Sequence, residues 1–301
     1  MKLSSLIILL VLNFFWAATL SAYKVLGVDL SVGGIVTLRF GIAGVTLLLL
    51  WPWLPGKAPR GRDLLVTAGM GLIVFALGHR LQVYGNSQSL ASNTAVLTAM
   101  EPLVAGIAAA LFLREHIGPR RTMGFAFGLL GVLLLNGVWR NDFQWVGLGA
   151  SLIFVSSFIC EAAFSIIGKP LVARASPVKV VALSLVVGTA ANLLIDGRQT
   201  LSAAVALPWS QWALILVLAW VCTAFGYVFW FLVIRDSDVS VAALTIYAQP
   251  VFGLLLARIW LGEQLHWGHL WGSCAIVIGL LIGLSRQIKF SSPPVVDKSP
   301  L

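Results

Sequence analysis

Apolar residues dominate the chain in ten blocks, each close to the roughly 20 residues that a helix needs to cross a hydrocarbon core. The blocks are 4–23, 32–53, 64–84, 90–113, 119–138, 145–168, 178–195, 211–234, 239–261 and 266–285. The breaks between them are charged or rich in Pro and Gly, as in Pro52 to Asp63, Arg114 to Arg121, Lys169 to Lys179 and Asp196 to Ser210. No alternation of period two appears, so the pattern predicts an all-α integral membrane protein with ten transmembrane helices. The polar tail after Lys289 carries Pro293, Pro294 and Pro300 and is expected to be disordered.

A repeat organises the blocks. The stretch Ser92 to Leu135 returns as Ser240 to Gly283 at a constant offset of 148, with nine of 44 positions identical, among them Pro102/Pro250 and Glu115/Glu263. Five spans per copy is an odd number, so the second copy enters the membrane upside down. The expectation is two inverted five-helix repeats, 1–140 and 141–288, followed by the tail 289–301. Such doubled units build a site near the midplane where the halves meet.

Composition agrees. The 301 residues are 59% hydrophobic and 10% charged, against about 25% charged in a soluble domain. The net charge of +9 is scattered over short loops and forms no basic stripe, so nucleic acid is not an expected partner. With the N-terminus in the cytoplasm, fourteen Lys and Arg fall on the cytoplasmic side against Lys24, Arg140 and Arg198 outside. That bias places both termini inside. Lys2 followed by an apolar run could pass for a signal peptide. Asn13 interrupts that run, however, and Ala17-Ala18 and Lys24 recur as Ala162-Ala163 and Lys169, so the segment is read as the first helix. Cys160, Cys222 and Cys274 share no ligand spacing. No hydrolase elbow, phosphate loop or metal-protease motif occurs, and no cofactor or metal is expected.

A few polar residues inside apolar blocks carry the candidate chemistry. Glu101 and Glu161 lie near the centres of spans four and six, where a charge costs about 2.5–3.5 kcal/mol and defaults to a functional reading. Each could bind a cation, relay a proton or neutralise Arg39 or Arg80. Arg39 is deep for a side chain that snorkels to the interface. It could hold a carboxylate or phosphate, or pair with a glutamate. Arg258 reads as a snorkelling side chain. His79 is either a packing residue or a proton carrier near neutral pH. Pro102 and Pro250 should kink spans four and nine and free the carbonyls of Thr98 and Ile246. In lipid, a freed carbonyl must be buried or face a wet cavity. Trp16, Tyr84, Tyr227, Phe229, Trp230 and Tyr247 are candidate wall residues, whereas the Trp residues at span ends fit an interfacial belt. Gly124, Gly128 and Gly131, echoed by Gly268, Gly272 and Gly279, allow close helix contact, either within the bundle or in a homodimer.

Several motifs together carry a family resemblance: Phe14-Phe15-Trp16-Ala17 with Lys24, Leu38-Arg39-Phe40, Glu101-Pro102, and Leu113-Arg114-Glu115 matched by Leu261-Gly262-Glu263. As a set they resemble the EamA-type members of the drug/metabolite transporter superfamily over about residues 5 to 285. The resemblance implies a bacterial inner-membrane carrier of small metabolites, often amino acids and often exported. It also implies a central cavity lined by spans one to four and six to nine, with spans five and ten peripheral. On that map Asn13, Trp16, Arg39, His79, Glu101, Glu161, Tyr227 and Gln249 become the substrate-binding candidates, and Pro102 and Pro250 the hinges. Glu161 stands where such proteins usually show an aromatic residue, and Arg114 where glycine is usual. The rival readings are a membrane sensor or scaffold without transport, and an intramembrane enzyme using Glu101 or Glu161 with His79. The inversion makes a direct prediction: epitope tags placed beside Glu115 and beside Glu263 are read from opposite faces of the membrane, and reading both from one face overturns it.

Overall fold

The computed structural model describes residues 1–88, 91–140, 148–261 and 267–285. Among them there is no strand, and nine helical stretches are long and apolar enough to cross a bilayer. These are α1 (Leu3–Leu26), α2 (Val32–Leu49), α3 (Arg62–Ser87), α4 (Thr94–Phe112), α6 (Leu148–Val172), α7 (Pro177–Ala206), α8 (Trp209–Asp236), α9 (Val239–Leu256) and α10 (Trp267–Leu284). Between α4 and α6 lies α5, Pro119–Leu135, of 17 residues, about 25 Å long at 1.5 Å per residue. Large apolar side chains such as Leu194, Val205 and Phe112 are 89%, 91% and 73% exposed, which suits lipid and not water. The chain is a multi-pass membrane protein. Glu263, Trp145 and the polar tail lie outside the described residues, as does the side chain of Arg258.

The helix does break at Asp196, which has non-helical φ −143° and ψ 24°, but the stretch beyond it, expected as a loop, is helical to Ala206. The polar residues that suggested a loop, Arg198 to Ser202, sit in ordinary helix-forming sequence. Asp196 itself is held by Arg80.

The irregularities of the helices recur at the repeat offset. A π turn occupies Leu72–Gly78 in α3 and another Trp220–Phe225 in α8. Helix α4 breaks after Thr98 and resumes at Met100, while α9 passes through a 3-10 turn at Thr245–Tyr247 and resumes at Ala248. Each resumed helix carries its proline at the third position, where the missing N–H is one the first turn cannot use anyway. The expected irregularities at Pro102 and Pro250 therefore take the form of a turn at Ala99 and a 3-10 turn at Thr245–Tyr247, just ahead of each proline.

Two apolar cores result. The larger joins residues of α1, α2, α3, α4, α6, α7, α8 and α9 around Phe40, Phe75, Phe164 and Phe231. In the second, α5 and α10 pack on each other and on α4 and α9 through Phe125, Val132, Tyr247 and Ile276. Glycines let α5 and α10 touch backbone to backbone: a Cβ on Gly272 would stand 2.6 Å from the Gly131 carbonyl oxygen, and one on Gly124 2.9 Å from Gly283 Cα. The glycine runs are thus used within the chain.

One end of the bundle is tied by polar bonds. Glu115, just past α4, accepts from the N–H groups of Val239 and Ser240 at 2.7 and 2.9 Å and from the Ser240 hydroxyl at 2.7 Å. Lys169 of α6 donates to Glu115 at 3.0 Å and to the Ser237 carbonyl at 2.8 Å. Arg121 of α5 donates to Asp238 and, at 2.9 Å, to Ser240. Burial pushes the Glu115 carboxyl up, but the hydrogen bonds from Ser240, Val239 and Lys169 outweigh it and hold the group below the usual carboxylate range.

Gly272→Ala is expected to destabilise by about 1–3 kcal/mol through overpacking. Gly69→Ala, which meets nothing within 4 Å, is expected to be neutral or mildly stabilising. Thermal unfolding of the purified protein reads both, and equal melting points would contradict the close α5–α10 contact. Because the folded Glu115 titrates below its unfolded value, its contribution is full above the ordinary carboxylate range and fades as pH falls through the folded value. Glu115→Gln should cost about 1.5–3 kcal/mol, as for bonds to a charged group, and the gap to the parent should close in acid. A gap independent of pH would contradict the assignment.

Candidate functional site

Seven of the described helices line a cavity of about 90 Å³, well below the several hundred Å³ usual for small-molecule sites, so the chamber must widen to take a metabolite. Its lining comes from α1, α2, α3, α4, α6, α8 and α9, with no residue from α5, α7 or α10. Trp16, Arg39, His79, Glu101, Glu161, Tyr227 and Gln249 all line it. Of the sequence-predicted binding residues only Asn13 does not.

Asn13 is fully buried and joins α1 to α9. Its amide donates to the Leu9 carbonyl at 2.8 Å and to Thr245 Oγ1 at 3.0 Å, and its oxygen accepts from Gln249 Nε2 at 2.9 Å. It therefore steadies Gln249 at the cavity wall. Pro102 and Pro250 do not line the cavity. They sit one residue beyond Glu101 and Gln249 in the resumed helices, so each helix interruption brings a polar side chain to the chamber.

The centre of the cavity is a polar cluster on an aromatic bed. His79 is the first residue after the π turn of α3. Its Nε2 lies 2.8 Å from Glu161 Oε1 and 2.7 Å from the Tyr227 hydroxyl, and its Nδ1 lies 3.2 Å from Gln82 Oε1. The Tyr227 hydroxyl stands 3.5 Å from the same Glu161 oxygen. Phe40 packs 4.6 Å from the His79 ring, and Phe75 and Phe164 lie 5.0 and 4.9 Å from the Tyr227 ring, centroid to centroid. His79 and Tyr227 are 148 residues apart, so the two π turns deliver repeat-equivalent positions into direct contact.

Arg39 is 2% exposed. Its Nε donates to Thr223 Oγ1 at 2.7 Å, one terminal nitrogen donates to the Tyr23 hydroxyl, and the other reaches the Cys222 carbonyl at 3.5 Å. The guanidinium lies over the Phe40 and Tyr23 rings at 5.0 and 5.6 Å. Among the described residues no carboxylate lies within 4.0 Å of it. Neither Glu101 nor Glu161 forms an ion pair with Arg39 or Arg80. Arg80 instead pairs with Asp196 at 2.9 Å and donates to Asn192 at 2.6 Å, away from the chamber. Glu101 has no hydrogen-bond or ion-pair partner among the described residues, and it shares the cavity with Glu161.

The π turns release backbone carbonyls, and side chains meet them. Asn192 donates to the Phe75 carbonyl at 2.9 Å. Trp16 Nε1 donates to the Cys222 carbonyl at 2.8 Å, and Thr223 returns its hydroxyl hydrogen to Leu218. Sequence reasoning missed Tyr23, Gln82, Asn192 and Thr223, and nothing in the sequence marked these four. It also missed the pairing of His79 with Tyr227, which the repeat offset extended back from residue 92 would have found.

The family comparison agrees with this architecture. The EamA-like transporter family matches residues 3–137 and again 147–284. An uncharacterised transporter of Archaeoglobus fulgidus is 26% identical over 91% of this chain and 96% of its own length. A probable terminal-alkyne amino-acid exporter of Streptantibioticus cattleyicolor is 28% identical over 87% and 88%. A riboflavin transporter of Rhizobium johnstonii is 26% identical over 72% and 68%. One crystal structure superimposes with a TM-score of 0.75 at 17% identity, covering 94% of this chain and 96% of its own, which speaks to the fold alone. The relatives are named as transporters and not as enzymes. With two matches spanning nearly all of its helices, the chain belongs to the EamA-like transporter family.

Proposed function

We propose that the protein is a secondary carrier of small metabolites, with amino acids and related compounds as the first class to test, and that it exports them across a bacterial inner membrane. In this reading both termini are cytoplasmic, and ten helices, α5 included, cross the bilayer as two inverted halves. The halves rock about the central cavity by alternating access, flexing where α4 and α9 are interrupted beside Pro102 and Pro250. The bonds joining Glu115, Lys169 and the start of α9 hold one end shut and must open for cargo to pass there.

One observation carries the substrate class. A buried guanidinium with no carboxylate within 4.0 Å, Arg39, and a carboxylate, Glu161, line the same cavity. Arg39 takes an anionic group of the cargo and Glu161 a cationic one, and a zwitterion satisfies both. The relative named as an amino-acid exporter supports beginning with amino acids. The relatives named as riboflavin transporters put larger heterocycles second.

The test is a metabolite screen in proteoliposomes, with and without a pH gradient. Glu161→Gln should lose transport or its pH dependence while inserting normally. Loss of a bond to a charged group costs about 1.5–3 kcal/mol, on the order of tenfold to a hundredfold in apparent affinity. Unchanged kinetics reject the role of Glu161. A protein that moves no solute yet changes a partner protein's behaviour when ligand is added is a sensor instead.

A further inference from the structure

The contact between His79 and Glu161 carries more than a binding role. A ring nitrogen and a carboxylate oxygen 2.8 Å apart both bear lone pairs, so the contact requires a hydrogen between them. The other ring nitrogen faces the Gln82 oxygen at 3.2 Å. The Gln82 amide can accept from an Nδ1–H or, turned over, donate to a bare Nδ1. With Nδ1–H facing the amide oxygen, His79 and Glu161 together hold one proton more than a neutral imidazole and an ionised carboxylate. With the amide turned over they hold none extra, so the same contact accommodates both states.

We propose that His79, Tyr227 and Glu161 form the coupling-ion site of the carrier, binding one proton that exchanges with a cationic group of the cargo at the Glu161 carboxylate. The proposal rests on the carrier reading and names its coupling ion. No covalent bond to carbon changes. The proton leaves the Nε2–Oε1 contact for water in the cavity, Glu161 is left as the anion, and the positive group of the cargo takes the proton's place against it.

The geometry supports both states. With the proton gone, Nε2 needs a donor, and the Tyr227 hydroxyl stands 2.7 Å away to supply one. His79 then stays neutral, and the Glu161 carboxylate, no longer joined to Nε2 by a hydrogen, turns toward the cargo. Exchange with the chamber runs through Glu161, whose side chain is 15% exposed against 3% for His79. Charged and titratable groups surround the site. From α2, Arg39 faces the site as a cation without a carboxylate partner. From α1, Tyr23 accepts from Arg39, and Lys24 lies at the exposed end of that helix. Helix α4 contributes Glu101, which shares the cavity with Glu161. Cys160 neighbours Glu161 on α6, and Cys222 of α8 lies beside Arg39. On the far side of α3, Arg80 and Asp196 of α7 cancel each other. A proton on Glu161 removes the negative charge that the cationic group of the cargo needs, so the two compete for one carboxylate and exclude each other.

Two measurements test this, and they fail separately. The first needs no cargo: a pH titration of the purified protein in lipid, followed by the infrared carboxyl bands of Glu161 and the ¹⁵N resonances of His79. Each signal is assigned by its loss in Glu161→Gln and in His79→Gln. A shared proton gives a single step seen by both probes, and replacing either residue displaces the step of the other. Tyr227→Phe, which keeps the ring, displaces it too. Two independent steps, each indifferent to the other replacement, overturn the site. The second loads vesicles with a pH-sensitive dye and adds an equimolar mixture of the twenty standard amino acids. The expected result is uptake with a rise of internal pH. In His79→Gln the number of protons moved per amino acid taken up should fall, whatever rate of uptake remains. Amino acids that cross the parent protein with no proton movement overturn the coupling. If no amino acid crosses at all, the amino-acid reading fails, while the titration still decides the proton site.

Discussion

A carbonyl released inside a bilayer has no water to bond, and this constraint shapes the chamber more than any single pair of residues. A π turn or a broken helix leaves backbone oxygens without their intrahelical donors, so each irregularity is possible only where a side chain is ready to meet it. Asn192 answers Phe75 in α3, and Trp16 with Arg39 answers Cys222 in α8. In return the irregular turns re-aim the residues next in the chain. His79 and Tyr227 emerge directly after the π turns and reach the cavity, instead of facing along a regular helix. The same residues that complete the backbone bonding, Trp16 and Arg39, also line the cavity. Structural and functional duties are therefore joined, and a change at either residue alters the wall and its support together.

Charge follows the same economy. Among the described cations deep within the helices, Arg80 is neutralised by Asp196 outside the chamber, which leaves Arg39 as the cation facing the cavity. It bonds to neutral oxygens only, and its guanidinium carbon lies over the Phe40 and Tyr23 rings at 5.0 and 5.6 Å from their centres. Such an environment supports a cation without cancelling its field. Opposite it, Glu161 and Glu101 are two acids in one cavity, one engaged with His79 and the other without a partner among the described residues. Two acids lining one cavity suit a positive species that enters it. The polarity of the chamber is thus arranged by which charges are left uncompensated, and not by how many there are.

Much of this was legible in the sequence, and the failures have physical causes. Span lengths follow from apolar run length because lipid forbids polar interruptions. Seven of the eight binding candidates reached the cavity because an ionisable or amide group in a span has few other places to go. Asn13 was the exception, since an amide can also be satisfied by bridging two helices, as it is by Thr245 and Gln249. The stretch after Asp196 looked like a loop because sequence cannot show that Arg80 holds Asp196 at a kink from which the chain resumes as helix. Thr223, Tyr23 and Gln82 were missed for a related reason. They are ordinary membrane-helix residues whose importance comes entirely from neighbours far away in sequence. The π turns left no trace in composition at all, and only the repeat offset could have pointed to them.

In a protein whose halves are related by a two-fold axis, residues i and i+148 touch only if both lie at that axis. His79 and Tyr227 touch, and so do Ala99 and Tyr247, where the Tyr247 hydroxyl donates to the Ala99 carbonyl at 3.3 Å. Under the inverted arrangement these two contacts mark the axis itself, one at the proton site and one at the helix interruptions. Points on the axis are displaced least when the halves rock, while the ends of the bundle move most. The Glu115 bonds lie at such an end, where a small rotation suffices to part them. On the proposed rocking-halves reading, the chemistry sits where the motion is smallest and the closure where it is largest. A binding site can thus keep its geometry through both halves of the cycle while access to it changes sides.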